Sequence, residues 1–303
     1  MSVLGKVLYQ AHNVRQIALH PLNGGQEISS VIRWLRWHVS SRLALGPIVV
    51  PFINGSTLTV EPGMTSATGN IFWGLSEPEE MGFCLHLLRP ADTFLDVGAN
   101  VGVFTVLART AGASVISVEP SPAAFLALKR NVLSNGFASE VDLRNIAVSD
   151  HSGRAAFSSA DADTTNHLLA SNEAHSSIDV PLTTLDTVVS GRRVTLLKID
   201  IEGYELPALR GASSLLGSPD LKALIVEVNQ SSDRYGYSRD DLLNIIGAAG
   251  FASVAYDPYA RRLSAIDDER VSDNLIFVRD IADTQRTLMD APRFALSGGR
   301  SSI

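Results

Sequence analysis

The chain has 303 residues, of which 45% are apolar and 19% charged, and its formal net charge at pH 7 is −7. This composition is typical of a globular protein with a large core, and the acidic balance argues against nucleic acid as a substrate. The single cysteine, Cys84, excludes an intramolecular disulfide and a cysteine-rich zinc site. Neither a signal peptide nor a membrane-spanning segment is evident, which predicts a cytoplasmic protein.

Residues 1–90 lack a regular alternation of strands and helices, and we interpret them as an N-terminal α+β extension or cap. Apolar spacing predicts a helix over residues 26–45. Two short strands joined by Asn54-Gly55, over residues 48–53 and 56–60, predict a hairpin. A further helix is predicted to begin at Pro78 and to run to residue 88.

The first predicted helix carries arginines at positions 33, 36 and 42 close to two tryptophans. This pattern has two interpretations. The helix could lie on a membrane surface, or it could pack against the protein while its arginine side chains reach past apolar neighbours to water. We favour the packed helix because it is the commoner arrangement.

From residue 92 onwards, apolar strands alternate with helices, which predicts a mostly parallel sheet with helices on both faces. The predicted strands are residues 93–97, 114–119, 141–148, 195–200, 221–229, 251–256 and 274–278, and the predicted helices are residues 101–111, 121–135, 204–211 and 239–249. We therefore expect a domain over residues 91–280 and a C-terminal tail over residues 281–303. A polar stretch over residues 155–185 interrupts the pattern and predicts a long loop that is either functional or disordered.

A glycine-rich turn, Asp96-x-Gly98-x-Asn100-x-Gly102, joins the first predicted strand to its helix. Such glycines let the backbone approach a ligand closely, although a tight turn without a ligand would use the same residues. Asp96 disfavours a pyrophosphate and suits a ligand with positive charge. Glu119 ends the next strand, 17 residues after Gly102, where it can accept hydrogen bonds from ribose hydroxyls. The pattern predicts a cationic nucleoside cofactor.

The turn resembles the first motif of class I methyltransferases, and its variant Asp-Val-Gly-Ala-Asn-x-Gly is typical of the FkbM family. Stretches at residues 69–77, 118–122, 145–150 and 197–205 also resemble that family, so the likeness covers roughly residues 69–257. Phe72 stands where relatives often carry tyrosine.

The resemblance implies a seven-stranded Rossmann-like class I methyltransferase sheet with an antiparallel last strand, and S-adenosyl-L-methionine as cofactor. The turn would line the methionine and ribose, Glu119 would hold the ribose, residues 145–147 would border the adenine, and Asp200 would close the site. The cofactor-binding residues so implied are Asp96, Gly98, Ala99, Asn100, Gly102, Glu119, Pro120, Asn145, Ile146, Ala147 and Asp200.

The predicted catalytic residues are acids at the carboxyl ends of strands, where ligands bind in open α/β sheets. Asp200 and Glu202 follow the fourth strand, although both could simply cap the next helix. Glu227 and Asn229 end the fifth strand on one face. With Asp200 these side chains could bind magnesium or calcium, but we favour acceptor binding and predict no metal.

Additional candidates are His167, a possible base in the polar stretch, and four tyrosines that could line an acceptor or pack in the core. The tyrosines are Tyr235, Tyr237, Tyr256 and Tyr259. A lone histidine in a loop is more often solvated than catalytic.

The residues and the resemblance together predict methyl transfer to a hydroxyl of a sugar, glycolipid or polyketide-type small molecule, the choice of oxygen coming from the family. One alternative is a catalytically silent module that binds S-adenosylmethionine. A second is a nicotinamide-dependent oxidoreductase, disfavoured because Asp96 and Asn100 break the Gly-x-Gly-x-x-Gly pattern. We expect a small-molecule or carbohydrate acceptor and no nucleic acid, with membrane contact only if the acceptor is lipid-linked.

Overall fold

The computed structural model describes residues 14–17, 19–44, 46–158, 166–170, 176–266, 274–297 and 302–303. The chain divides into two compact units, one formed by residues 1–78 with 293–303 and the other by residues 79–292. The domain boundaries expected at residues 90 and 280 stay predictions.

The first unit contains the predicted hairpin. Its elements are a 3-10 helix (Pro21–Asn23), α1 (Glu27–Leu43), β1 (Ile48–Pro51), β2 (Thr57–Val60) and α2 (Thr65–Trp73). Strands β1 and β2 pair antiparallel, and Asn54 and Gly55 both have positive φ, 47° and 85°, as tight hairpin turns require.

A C-terminal segment joins this hairpin. Leu296 forms a bridge with Ile53, and Asn54 exchanges two hydrogen bonds with Ala295. Part of the expected tail is therefore paired with the N-terminal unit, because the edge of a two-stranded hairpin offers unpaired backbone groups.

The second unit is built on an eight-stranded sheet. Its strands are β3 (Thr93–Val97), β4 (Ser114–Val118), β5 (Val141–Arg144), β9 (Leu196–Ile199), β10 (Ala223–Glu227), β11 (Ala252–Asp257), β12 (Arg262–Ser264) and β13 (Asn274–Val278). They lie in the order β12-β11-β13-β10-β9-β3-β4-β5, and β13 runs antiparallel to both of its neighbours. The predicted Rossmann-like fold with an antiparallel last strand is confirmed, and β12 adds an eighth strand at one edge.

Helices precede or follow these strands along the chain. They are α3 (Pro78–Leu87), α4 (Val103–Thr110), α5 (Pro122–Ser134), α6 (Leu185–Val189), α7 (Glu205–Arg210), α8 (Ser213–Gly217), α9 (Arg239–Ala248) and α10 (Ile281–Met289). Within the described ranges, every helix is too short or too polar to cross a bilayer.

The third predicted strand was wrong in one respect, because it divides in two. Val141–Arg144 belongs to the main sheet as β5, whereas Ala147–Val148 forms β6 in a separate sheet with β7 (Gly153–Ser158) and β8 (Ser177–Thr183). The Asn145 side chain between the two pieces donates hydrogen bonds to the carbonyls of Glu119 and Pro120. These bonds hold the chain at the point where it leaves the main sheet.

The polar stretch expected to be a loop contains β7 and β8, which pair antiparallel over six residues each. Most of their residues are exposed or half-buried, so a polar sequence is compatible with strands of which one face meets water. Much of the polar run at residues 161–167, and His175, lie outside the described residues.

Candidate active site

Two glycines of the turn are required by contacts within the protein. Gly98 has φ +78°, and a Cβ there would lie 1.8 Å from the backbone oxygen of Asp200. Gly102 has φ +91°, and its Cβ would lie 2.6 Å from the Leu128 side chain of α5. Both glycines let the turn approach the end of β9 and the neighbouring helix, which brings Asp200 against the turn. That the same glycines also admit a ligand stays a prediction.

Glu119 and Asn100 form the polar part of the turn. Each carboxylate oxygen of Glu119 accepts one backbone hydrogen bond, from Asn100 at 2.9 Å and from Ser121 at 2.8 Å. Burial raises the pKa of Glu119 to about 7, although the two backbone hydrogen bonds lower it. The Asn100 Oδ1 atom is buried and has no partner among the described residues. The turn therefore presents acceptor atoms suited to hydroxyl or ammonium donors.

Asp96 is fully enclosed. Its Oδ2 accepts a hydrogen bond of 2.7 Å from the Thr105 hydroxyl, and its Oδ1 has no partner within the described part of the chain. Burial raises the pKa of Asp96, and the charge of Lys198 opposes that rise. Lys198 is the direct neighbour of Asp96 across the β3–β9 pair.

Lys198 is a buried cation that sequence reasoning overlooked. Its Nζ donates to the Asp200 carboxylate at 2.7 Å and lies 4.8 Å from the centre of the Phe104 ring. Only 4% of its side chain is exposed. The available signal was a lysine inside the apolar strand Leu196-Leu197-Lys198-Ile199, since a buried ammonium needs a partner.

Three predicted acids meet at the ends of β9 and β10. One carboxylate oxygen from each of Asp200, Glu202 and Glu227 lies within 4.8 Å of the other two. Burial first, and then the Asp200 charge, raises the pKa of Glu202 to about 7 and that of Glu227 well above its usual range. The Glu227 Oε2 atom is buried and lacks a partner among the residues described. We call these three residues the acid cluster; their oxygens could hold an acceptor or a hard cation.

Glu205 supports the backbone of the acid cluster and was not predicted as a site residue. Its Oε1 accepts hydrogen bonds from the backbone of Ile201 at 3.0 Å and of Gly203 at 3.2 Å. The side chain is buried, and burial raises its pKa to about 7. The signal in the sequence was a second glutamate three residues after Glu202, in the first turn of the predicted helix.

The family of the chain follows from a domain match. Residues 96–253, just over half of the chain, match the methyltransferase FkbM domain. The chain belongs to the FkbM methyltransferase family. The matched range includes the glycine turn, Glu119 and the whole acid cluster.

Individual relatives are similar either over a short segment or at low sequence identity. This chain is 43% identical over 68 residues to 31-O-demethyl-FK506 methyltransferase FkbM of Streptomyces tacrolimicus. The aligned segment covers 22% of this chain and only 25% of that protein. The solved FkbM methyltransferase of Methylobacillus flagellatus is 17% identical, with a TM-score of 0.43, over 82% of this chain and 59% of that one. A SAM-dependent methyltransferase of Agrobacterium tumefaciens is 14% identical, with a TM-score of 0.42, over 78% and 72% of the two chains.

The remaining predicted residues of this FkbM-family chain lie in varied surroundings. Ile146 packs on the main core and Ala147 is buried in the small sheet. The Asn229 side-chain oxygen Oδ1 accepts a hydrogen bond from the backbone N–H of Ser231 and so caps a 3-10 helix, Gln230–Tyr235. His167 bonds Ser158 through its backbone at the edge of the small sheet.

The tyrosines separate into two groups. The Tyr235 hydroxyl donates to the Leu168 carbonyl at 2.5 Å, its ring lies 4.9 Å from that of Tyr204, and the ring of Tyr237 lies 6.5 Å away. Tyr256 is a core residue instead, bonded to His86 at 2.6 Å, and Tyr259 is exposed. That Tyr235 and Tyr237 line an acceptor stays a prediction.

Proposed function

We propose that this chain is an S-adenosylmethionine-dependent methyltransferase that methylates a hydroxyl oxygen. The observation that carries the proposal is the acid cluster, which directly adjoins the glycine turn because Gly98 packs on the Asp200 backbone. A nucleoside bound at the turn and an acceptor bound at the cluster would be neighbours.

The residues of the turn fit the cofactor. The two carboxylate oxygens of Glu119 each accept one backbone bond and retain a lone pair for a ribose hydroxyl. Asn100 Oδ1 is a second buried acceptor at the same place. Several carboxyl oxygens converge beside the turn, and they can accept hydrogen bonds from hydroxyl and ammonium groups of a ligand. When bound, S-adenosylmethionine supplies an activated methyl group on a sulfonium.

The acid cluster supplies the acid–base chemistry that an alcohol acceptor needs. Glu202, with its pKa near 7, is suited to accept the hydroxyl proton as the new bond to oxygen forms. Glu227, whose pKa is raised further, keeps its proton at neutral pH and can donate a hydrogen bond to the acceptor. Asp200 is oriented by Lys198, and can accept from a neighbouring hydroxyl.

A polyhydroxylated acceptor matches this arrangement, because several carboxyl oxygens converge on one small region. We therefore propose a sugar, a glycolipid or a polyketide-type molecule as substrate class. The name of the Streptomyces tacrolimicus relative, a methyltransferase of 31-O-demethyl-FK506, supports an oxygen atom as the methyl acceptor.

Calorimetric titration tests the cofactor. We expect S-adenosylmethionine and S-adenosylhomocysteine to bind and NADH not to bind, and Glu119→Ala to abolish binding through loss of the ribose contacts. The exposed acid Glu140 provides the control, so Glu140→Ala should bind like the wild type. Preferential binding of NADH would instead support an oxidoreductase.

Incubation with isotopically labelled methyl donor and cell extract tests the reaction. Mass spectrometry should show the label in a small hydroxylated product, together with S-adenosylhomocysteine. Asp200→Asn should bind the cofactor and turn over at least tenfold more slowly. Tight cofactor binding without any labelled product or S-adenosylhomocysteine from a broad extract would support the silent module.

A further inference from the structure

Helix α1 exposes a continuous apolar stripe. Five large apolar side chains are between 44% and 79% exposed, and at 100° per residue they fall within an arc of about 80°. They are Ile28, Ile32, Leu35, Val39 and Leu43. The opposite face of the helix carries its buried residues, Ser30 and Trp37. The face that the sequence suggested would pack inward is therefore the face that meets solvent.

Arginines border this stripe on both sides. On the same helical projection, Arg36 lies about 20° beyond one edge and Arg42 about 20° beyond the other. Both are exposed, and Glu27 in the first turn is the only acidic residue of the 17-residue helix. An apolar stripe between cationic side chains is the pattern of helices that lie at the surface of a bilayer.

Charge is also divided between the two units of the chain. Residues 1–78 with 293–303 contain seven lysines and arginines and three acidic residues, a net charge of +4. Because the whole chain has a net charge of −7, residues 79–292 carry −11. A cationic unit on an acidic protein indicates an anionic partner, and its exposed apolar stripe matches acyl chains better than phosphate groups alone.

We propose that α1 docks the protein on an anionic lipid surface, with the apolar stripe inserted at the level of the headgroups and Arg36 and Arg42 against lipid phosphates. A second copy of the chain fits the stripe less well. Packing stripe on stripe would place arginines of both copies along one seam, where Glu27 alone could offset them. The docking is independent of the methyl-transfer reaction and requires no lipid-linked acceptor.

Vesicle flotation with the full chain tests the proposal. We expect binding to phosphatidylcholine vesicles that contain about a third phosphatidylglycerol, and at least tenfold weaker binding to phosphatidylcholine alone. Two variants remove the two components. Ile32→Ser/Leu35→Ser/Val39→Ser replaces the three central residues of the stripe, and Arg36→Gln/Arg42→Gln removes the flanking charge. Each variant should bind the anionic vesicles at least tenfold more weakly.

Matched controls come from the second unit. Leu126 and Leu133 of α5 are exposed apolar residues, and Arg262 and Arg286 are exposed arginines. Leu126→Ser/Leu133→Ser and Arg262→Gln/Arg286→Gln should bind anionic vesicles like the wild type. Because all the substituted positions are exposed, we expect every variant to fold. Circular dichroism checks this expectation.

Three results would overturn the proposal. The first is a wild-type protein that binds both kinds of vesicle equally well or binds neither. The second is a stripe variant that binds as well as its control. The third is a dimer in sedimentation velocity that the stripe variant abolishes, because the stripe would then be covered by a second copy.

Discussion

At the scale of single residues, Lys198 opposes the rise in pKa that burial causes in the acids of the candidate site. It is a buried cation beside Asp96 and Asp200, and its charge lowers the pKa values of Asp96, Glu202 and Glu227 against the effect of burial. The site can thus hold several acids at close range and still fold. Removing that charge should affect both stability and chemistry.

Lys198→Met should destabilise the protein by up to about 3–5 kcal/mol at pH 8, because it leaves Asp200 without its buried partner. The double variant Lys198→Met/Asp200→Asn should recover part of this loss. Urea unfolding of the two single variants and the double variant gives the coupling energy. Strictly additive losses would mean that the pair at 2.7 Å contributes no interaction of its own.

Glu205→Gln isolates one buried charge without removing the hydrogen bonds to Ile201 and Gly203, because the amide oxygen can accept both. The pKa of Glu205 is raised to about 7, so the folded chain holds this proton more tightly than the unfolded chain. The stability it contributes is complete below its ordinary pKa and is lost as pH rises to about 7.

Relative to the wild type, Glu205→Gln should therefore be nearly neutral at pH 4 and stabilising by up to about 3 kcal/mol at pH 8. Thermal and urea unfolding across this range provide the measurement. A gain that is equal at both pH values would contradict the assignment of the raised pKa to Glu205.

Gly98→Ala should cost at least about 3 kcal/mol of unfolding free energy, or prevent folding, because the Cβ would overlap the Asp200 carbonyl. Gly136→Ala is the matched control. It also has positive φ, +72°, but nothing lies within 4 Å of the added Cβ, so its cost should be about 1–2 kcal/mol. Equal costs in urea unfolding would show that the turn can move away from β9.

At the scale of elements, the small sheet β6-β8-β7 holds the segment at residues 166–170 close to the residues that follow β10. Leu168 bridges to Phe157, and its carbonyl accepts the Tyr235 hydroxyl. Tyr235 in turn packs against Tyr204, which lies two residues after Glu202 of the acid cluster. This chain of contacts ties the segment at residues 166–170 to the region of the acid cluster.

Tyr235→Phe removes the hydrogen bond that holds Leu168 and leaves the aromatic packing in place. We expect amide hydrogens at residues 167–169 to exchange about fivefold faster, as the loss of one hydrogen bond implies. Exchange measured by mass spectrometry should show no change there in Tyr259→Phe, which alters an exposed tyrosine. Unchanged exchange in Tyr235→Phe would mean that β7 alone holds the segment.

At the scale of the whole molecule, the candidate site lies in the unit whose net charge is −11. Such a unit repels the phosphate backbone of nucleic acids, while its buried acids favour cationic and hydroxylated ligands. We propose a different role for each unit. The cationic unit binds lipid, and the acidic unit binds the cofactor and the acceptor.

The same charge distribution predicts that the full chain does not bind tRNA or duplex DNA saturably at physiological salt. Fluorescence anisotropy with labelled nucleic acid checks this expectation. Binding that disappears in Arg36→Gln/Arg42→Gln would instead assign α1 to nucleic acid.

The order of strands and helices, the glycine turn and the acids at the strand ends could be predicted from the sequence. Each depends on local information, namely apolar periodicity, turn residues and short motifs. The Asn54-Gly55 hairpin and the acids 200, 202 and 227 are examples. The seven-residue strand β8 was missed although its inward-facing apolar residues alternate with exposed ones, because Pro181 and the polar run before the strand favour a loop.

Only the tertiary structure decided what those residues touch. Gly98 is required by the carbonyl of Asp200, more than 100 positions away, and the partner of Asp96 across the sheet is a lysine on β9. The pairing of Leu296 with Ile53, and the exposure of the apolar stripe on α1, likewise depend on which surfaces pack together. Periodicity along the chain identifies an apolar face, but contact between distant segments determines whether that face is covered.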